Sequence, residues 1–436
     1  MLYELVIRVI VFAIRTGALF NAKAGAWING RRKWRDRYRA GFQPVSRVMW
    51  VHAASLGEFE QGRPVIEAFR QQFPGWQLVL TFFSPSGYEI RKNYPHADFV
   101  CYLPADTRRN ARDFIDIIKP DAAIFIKYEF WANYLAELNR RNTTTLLVSA
   151  LFRKEQPFFR WYGRFWRNML GCFTHFFVQH GDSEKLLQSI GFQNITVAGD
   201  TRVDRVLHIA ENAPENDIVA AFAGARQSEG VTASHPLTTS ASHPLTSFRV
   251  FIAGSTWEAD EAVFLPALSR LTADQEWKII IAPHDPSEEN VERLCKFIGS
   301  GALRYSLATP ALAREAHVLI IDNVGLLNTL YRYGAVAYIG GGFGKGIHNT
   351  LEPAAFGLPV LFGPKYEKFE EARQFVKRGG AFAVKNQAEL EAVLQNLAVP
   401  DFYRNASGAV RGYLEESRGA TEQILSFLKQ NMRENA

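Results

Sequence analysis

Residues 48–84 run VMWVHAASLGEFEQGRPVIEAFRQQFPGWQLVLTFFS. VMWVHAA (48–54) is an apolar run, a helix-like stretch continues to about Gln72, and WQLVLTFFS (76–84) is a second apolar run. Near-continuous apolar strands separated by helices predict a parallel sheet covered on both faces. DAAIFI (121–126), TTLLVSA (144–150) and HFFVQ (175–179) extend the series. It restarts with FRVFIAG (248–254), WKIIIAP (277–283), HVLIID (317–322), VAYIGG (336–341) and PVLFG (359–363). Between the two series, residues 209–247 break the pattern and end in TASHPLTTSASHPLTS, where ASHPLT occurs at 233–238 and again at 241–246. Such a Ser/Thr/Pro repeat buries no core and reads as a linker. The expectation is an α/β protein of two doubly wound, Rossmann-like domains, 47–208 and 248–436, joined by a linker over 209–247, with an interdomain cleft.

The length of 436 residues agrees with two domains, and 47% apolar with 22% charged residues excludes disorder as a description of the whole. A net charge of +6 favours anionic partners. The three cysteines, Cys101, Cys172 and Cys295, lie far apart and imply a reducing compartment without structural disulfides.

The N-terminal segment 1–46 is distinct. MLYELVIRVIVFAIRTGALF (1–20) is too interrupted for a membrane span. On a helix, Glu4, Arg8 and Arg15 fall on one stripe and the rest is apolar. RRKWRDRYR (31–39) follows, with six basic residues beside Trp34 and Tyr38, and Trp27 just before. The segment reads as an amphipathic helix and basic–aromatic stretch on an anionic membrane surface; the alternatives are packing on a domain and a solvated basic face.

Three strand-to-helix turns carry the candidate chemistry. In VHAASLGEFEQ (51–61), Ser55 and Glu58 have capping-box spacing, and Glu58 in a helix's first turn also suits a general base. In IAGSTWEADE (252–261), Ser255 and Glu258 repeat that spacing, and the helix start after Ser255-Thr256 suits a phosphate. In GGGFGKGIHNTLEPAAFGLPVLFGP (340–364), the glycines admit a close ligand, Asn349 and Glu352 suit reciprocal capping, and Gly357 suits the helix end. Lys345 is followed by Gly346, so this is no Walker A loop, and no G-x-G-x-x-G opens the first strand. A nucleotide mono- or diphosphate fits better than a dinucleotide, and Glu352 also suits ribose hydroxyls. KYEFWAN (127–133) and APHDP (282–286) also follow strands; Glu129 reads equally as a site group or a surface ion pair. No HExxH, CxxC pair, G-x-S-x-G or nucleic-acid reader motif is present, so neither a metal, a cofactor nor a nucleic-acid partner is expected.

These residues together resemble the family of 3-deoxy-D-manno-octulosonic acid (Kdo) transferases of lipid A biosynthesis. The resemblance spans nearly the whole chain. It is strongest at HAASLGE (52–58), IAGSTWEADE (252–261) and GGFGKGIHNTLEPAAFGLPVLFGP (341–364), and weaker at KYEFWAN, VSALFRKEQPFF (148–159), VQHGDSEKL (178–186) and GDTRVDR (199–205). It implies the glycosyltransferase B architecture and an inverting transfer of Kdo from CMP-Kdo to the acylated, phosphorylated glucosamine disaccharide of the lipid A precursor. By the same resemblance Glu58 is the catalytic base, Ser55 and Gly57 shape its turn, and Glu129 lies on the acceptor side. The implied donor contacts are Ser255, Thr256, Pro283, His284, Gly341, Gly342, Lys345, His348, Asn349 and Glu352. The location implied is the cytoplasmic face of the bacterial inner membrane, peripheral or N-terminally anchored. Two segments depart from the family: Lys127-Tyr128-Glu129 stands where E-T-E is common, and Ala282-Pro283-His284-Asp285-Pro286 where A-P-R-H-P is common, which removes an arginine from the donor side. The ASHPLT repeat is also outside the family's pattern. Two alternatives remain at this point: another two-lobed glycosyltransferase using a UDP-sugar, and a membrane-bound nucleotide-binding module without turnover.

Overall fold

The computed structural model describes residues 2–224, 249–273 and 277–434; the ASHPLT repeat lies outside them. The chain forms two compact units, Met1–Asp204 with Ser417–Ala436, and Arg205–Glu416.

The first unit holds the strands β1 (Val48–Ala53), β2 (Gln77–Phe82), β3 (Phe99–Tyr102), β4 (Ala122–Ile126), β5 (Thr144–Ala150), β6 (His175–Val178) and β7 (Ile195–Val197). All neighbours pair parallel in the order β3-β2-β1-β4-β5-β6-β7. The central strands β1, β4 and β5 are buried along their whole length, which is why their sequences are unbroken apolar runs.

The second unit holds β8 (Arg249–Thr256), β9 (Trp277–Pro283), β10 (Ala302–Arg304), β11 (Val318–Ile320), β12 (Val336–Ile339), β13 (Val360–Phe362) and β14 (Ala381–Ala383). The order is β10-β11-β9-β8-β12-β13-β14, again parallel throughout. Both sheets are doubly wound, reversing between β1 and β4 in one and between β8 and β12 in the other. The expected α/β class and Rossmann-like pair of domains are observed.

The boundaries differ from those expected in two places. Residues 209–224 are not linker: helix Thr201–Glu211 continues into them, and helix Asp217–Ala223 buries Val219, Phe222 and Ala223. The C-terminal residues expected in the second domain return to the first. Helix Ala420–Glu434 carries Ile424, Leu425 and Leu428 on one stripe, and these join a core with Val65, Phe69 and Phe177. Asp204 anchors its start, accepting from Gly419 N at 2.6 Å and Thr421 N at 2.7 Å.

The N-terminal segment folds as α1 (Leu2–Gly17), α2 (Ala22–Gly30) and α3 (Trp34–Gly41), followed after β1 by α4 (Leu56–Gln72). The aromatic residues read as interfacial are core instead. Trp27, Trp34 and Tyr38 are buried, Trp34 and Tyr38 against Phe114. Arg31 is also buried. Its guanidinium donates to Leu103 O and Phe83 O at 2.8 Å each and lies 3.8 Å over the Trp27 ring, and burial lowers its pKa to about 10. Arg35 pairs with Asp113 at 2.7 Å. Arg31 and Arg35 thus have structural roles, while Arg32, Lys33, Arg37 and Arg39 are exposed. In contrast α1 buries no residue. Among the described residues no helix is long and apolar enough to cross a membrane.

Leu428→Ala removes a fully buried side chain from the core shared by α4 and the C-terminal helix. It is expected to destabilise the first unit by about 3 kcal/mol. Hydrogen exchange should show lost protection in β1, β2 and β4, with β8, β9 and β12 unchanged; the reverse pattern would assign the helix to the second unit.

Candidate active site

In the first unit the switch point lies beyond the carboxyl ends of β1 and β4, where open parallel sheets bind ligands. The turn after β1 reaches α4 within two residues. Ser55 is extended (φ −135°, ψ 173°) and caps α4: its hydroxyl accepts from Glu58 N at 3.5 Å and donates to the Glu58 carboxylate. Ser55 and Glu58 are therefore joined as the spacing predicted, and Glu58, half-buried in the first turn, keeps its second carboxylate oxygen for another donor. Gly57 is exposed, and a Cβ there would meet only Ser55 Oγ at 3.9 Å. The backbone does not need glycine at that position, so a turn-shaping role for Gly57 has no steric basis within the unit.

Glu129 is not a surface ion-pair residue. It is 6% exposed and belongs to a buried network that the sequence alone did not reveal. Trp50 Nε1 donates to Thr81 Oγ1 at 2.8 Å, Thr81 Oγ1 meets His52 Nδ1 at 2.8 Å, and His52 Nε2 meets Glu129 at 3.1 Å. Trp131 Nε1 donates to the same Glu129 oxygen at 2.6 Å. His52 sits on β1 and Glu129 follows β4, so the network ties the two strands at the point where the winding reverses. Beside it, Tyr128, Arg153, Glu155 and Gln156 line an open cavity of about 510 Å³ beyond β4 and β5.

In the second unit the switch point lies between β8 and β12, and three of the motif segments converge there. Gly340 follows β12 and packs so closely on the end of β8 that a Cβ would collide with Ser255 O. Gly342 is packed equally closely on Gly363, and Gly341 has a left-handed φ of 93°. His284, at the end of β9, donates its N–H to Thr256 O at 2.9 Å. The rings of Trp257, His284 and His348 stack in order, with centroids 4.3 Å and 4.6 Å apart. Trp257 Nε1 also reaches His348 Nε2 at 3.2 Å. Burial, with the His284 ring alongside, lowers the pKa of His348 from its ordinary value and favours the neutral ring. The structure thus brings together Ser255, Thr256, Pro283, His284, Gly341, Gly342 and His348. Asn349 and Glu352 are joined side chain to side chain, with Asn349 Nδ2 donating to Glu352 at 3.0 Å and Asn349 Oδ1 accepting from Leu351 N at 3.1 Å, but the expected reciprocal cap does not form, because the helix Leu351–Ala354 begins after Thr350 rather than after Asn349. Gly357 follows with φ 74°. Lys345 stands exposed on the glycine loop.

The expected Ser255–Glu258 capping box does not form. The strand continues to Thr256, Ser255 takes a left-handed φ of 52°, and the cap is Trp257, whose N–H donates to Asp260 at 3.0 Å. Asp260, which no motif singled out, is a buried hub: it also accepts from Gly341 N at 2.8 Å and Tyr338 OH at 3.1 Å. Glu258, Asp260 and Glu261 crowd this helix's first turn, so an anion there would meet carboxylates as well as the helix dipole. The Thr256 hydroxyl is committed to Glu261 at 2.9 Å. Lys365, also unforeseen, donates to Gly344 O at 3.0 Å and to Phe343 O at 3.3 Å, holding the glycine loop from the turn after β13.

Residues 32–205 match the family model described as 3-deoxy-D-manno-octulosonic-acid transferase (Kdo transferase). The 3-deoxy-D-manno-octulosonic acid transferase of Haemophilus influenzae is 25% identical, over 93% of this chain and 92% of its own. That of Rickettsia bellii is 26% identical, over 92% and 89%. The resemblance read from the motifs thus extends to whole-length relatives. Among solved structures, the UDP-GlcNAc 2-epimerase of Neisseria meningitidis aligns with a TM-score of 0.57 at 14% identity, covering 88% of this chain and all of the other. Acinetobacter baumannii MurG aligns with a TM-score of 0.55 at 10% identity, with the same coverage. These two share the two-domain glycosyltransferase B fold with the chain.

Asp260→Ala leaves three donors, Trp257 N, Gly341 N and Tyr338 OH, without their acceptor. It is expected to cost about 3 kcal/mol in urea unfolding of the second unit and to raise amide exchange at Gly341. Unchanged exchange there would show that the loop does not depend on the carboxylate.

Proposed function

We infer that the chain is a Kdo transferase, an inverting glycosyltransferase that moves Kdo from CMP-Kdo to the acylated, phosphorylated glucosamine disaccharide of the lipid A precursor. The observation that carries this reading is the coincidence of motif and topology. HAASLGE lies at one switch point, and the GST turn, the APH turn and the glycine loop lie together at the other. Whole-length similarity to Kdo transferases supports it.

In this reading the second unit holds the donor. The stacked Trp257, His284 and His348 rings offer a face to a planar base, and the glycine loop with Lys345 offers backbone and a cation to the phosphate. The crowded carboxylates at Glu258–Glu261 make the loop, rather than the helix start, the better seat for the phosphate. His284 in place of the family's arginine weakens fixed positive charge on this side.

Glu58 is the base. Ser55 fixes one carboxylate oxygen, and the other accepts the proton of the acceptor hydroxyl as that oxygen attacks the anomeric carbon of Kdo. The bond from that carbon to the phosphate oxygen breaks, its electron pair leaves on CMP, and configuration inverts. CMP is a weakly basic leaving group, so no strong general acid is needed. Glu129, held by His52 and Trp131, shapes the acceptor side. No metal or cofactor enters this scheme. The acceptor is a membrane lipid, and exposed α1 lies at the cytoplasmic face of the inner membrane.

The test is CMP release from CMP-Kdo by the full chain in detergent, with and without the acylated disaccharide. Acceptor-dependent release with a matching mass gain on the lipid is expected. Release driven equally by other acceptors, turnover of UDP-sugars instead, or donor binding without release would overturn the assignment. In the same assay Glu58→Gln is expected to lower kcat by about 10²–10⁴-fold while donor binding stays within about twofold.

A further inference from the structure

Residues 160–165, RWYGRF, form a tip that presents aromatic rings to solvent on a rigid base. Trp161 is 92% exposed and Tyr162 59% exposed, and their rings contact each other at 5.5 Å. The backbone beneath them is clasped. Arg167 Nη1 donates to Phe158 O at 3.1 Å and to Arg160 O at 3.0 Å. Gly163 N donates to Arg160 O at 2.9 Å, and a Cβ on Gly163 would collide with Pro157 O. Phe158 below is buried against Phe130 and Phe152, with centroids 4.8 Å and 5.8 Å away. A large exposed apolar surface on an ordered turn marks an interaction site.

The tip continues into α1. Phe165 meets Tyr3 at 5.6 Å, and Tyr3 OH donates to Asp106 at 2.6 Å, fixing the start of the helix beside the tip. Leu2, Leu5, Val6, Val9 and Phe12 of α1 are all exposed. The charges around this surface are cationic: Arg8 and Arg15 on α1, and Arg160 and Arg164 on the tip. The acid on α1, Glu4, pairs with Arg8 at 3.3 Å and lies 4.0 Å from Arg108. Asp106 is buried and accepts from Tyr3. Aromatic and aliphatic groups bordered by arginines complement a bilayer that carries anionic headgroups.

We propose that residues 160–165 are a second membrane-contacting element, which together with α1 seats the first unit on an anionic lipid bilayer at two points. The inference rests on the reading that the acceptor is a membrane lipid, and it adds where the protein touches that membrane. The tip follows the Arg153–Gln156 wall of the cavity beyond β4 and β5 by only a few residues. Two contacts fix the orientation of the unit in a way that one helix cannot, with that cavity at the level of the headgroups.

The experiment is sedimentation of the full chain with vesicles of phosphatidylethanolamine and phosphatidylglycerol, and with vesicles of phosphatidylcholine alone. It needs neither donor nor acceptor, so its failure is separate from failure of the transfer assay. Trp161→Ser with Tyr162→Ser is expected to lower the partition coefficient about tenfold or more. Arg160→Ser with Arg164→Ser should instead reduce the preference for anionic vesicles. Because these side chains are exposed, urea midpoints and CMP release from a detergent-solubilised acceptor should match the parent chain. Unchanged partition of the aromatic variant would overturn the proposal. So would unchanged partition with a shift from dimer to monomer in analytical ultracentrifugation, which would assign the tip to a second copy of the chain.

Discussion

Parallel pairing constrains everything else in this molecule. When every strand of a sheet points the same way, each connection must cross back through a helix, and every turn that leaves a strand lies along one edge. Winding outward in both directions then opens one crevice per sheet, where the connections depart to opposite faces. In the first sheet that crevice is between β1 and β4, and in the second between β8 and β12. Ser55 and Glu58 leave β1, Glu129 leaves β4, Ser255 and Thr256 end β8, and the glycine loop leaves β12. Trp257 and His348, 91 positions apart in sequence, become neighbours for this reason.

Topology brings the turns together, and buried polar groups hold them in place. His52 and Glu129 bridge two strands across the first switch point, and Asp260 gathers a strand end, a helix start and the glycine loop at the second. A buried carboxylate is costly unless its oxygens are satisfied. Here each is met by several donors, so displacing any one turn would leave partners unpaired. The turns are therefore held by polar groups as well as by packed rings such as Trp131 against Phe83. Lys365 does the same for the glycine loop from outside, through carbonyl oxygens rather than through a carboxylate.

How much was legible in the sequence follows from burial. The ten strands read from apolar runs include the central members of both sheets. The four that escaped, β3, β7, β10 and β14, are the outermost strands. They are three or four residues long, and their partly exposed positions interrupt the apolar run that marks a strand covered on both faces. Pattern also misassigned the aromatic residues after α1, because Trp and Tyr among arginines describe equally a membrane interface and a core patch closed by cation–π contacts, as around Arg31. Capping spacing gave the right partner for Ser55 but not for Ser255. Both stretches have S-x-x-E, and what separates them is that β8 runs one residue past Ser255 to pair with β9, which moves the cap to Trp257. Asp260 carried no motif at all; its importance lies in three donors that come from separate segments.

The backbone is left-handed at some of these turns, as it also is at Lys33, Lys119 and Asn142. Lys127 (φ 67°) follows β4 and Ser255 (φ 52°) lies at the end of β8, both in the left-handed region that side chains with a Cβ avoid at a cost of roughly 1–2 kcal/mol. Ser149 (φ 53°) stands near the end of β5, beside a shift in its pairing with β6. Glycine would relieve the strain at any of them, yet the chain keeps a lysine and two serines. The surrounding sheet compensates: Lys127 N donates to Val148 O at 2.9 Å, and Gly340 N donates to Gly254 O at 2.9 Å next to Ser255. At Lys127 and Ser255 the strained backbone is thus held by the sheet itself, beside the two points where the winding reverses.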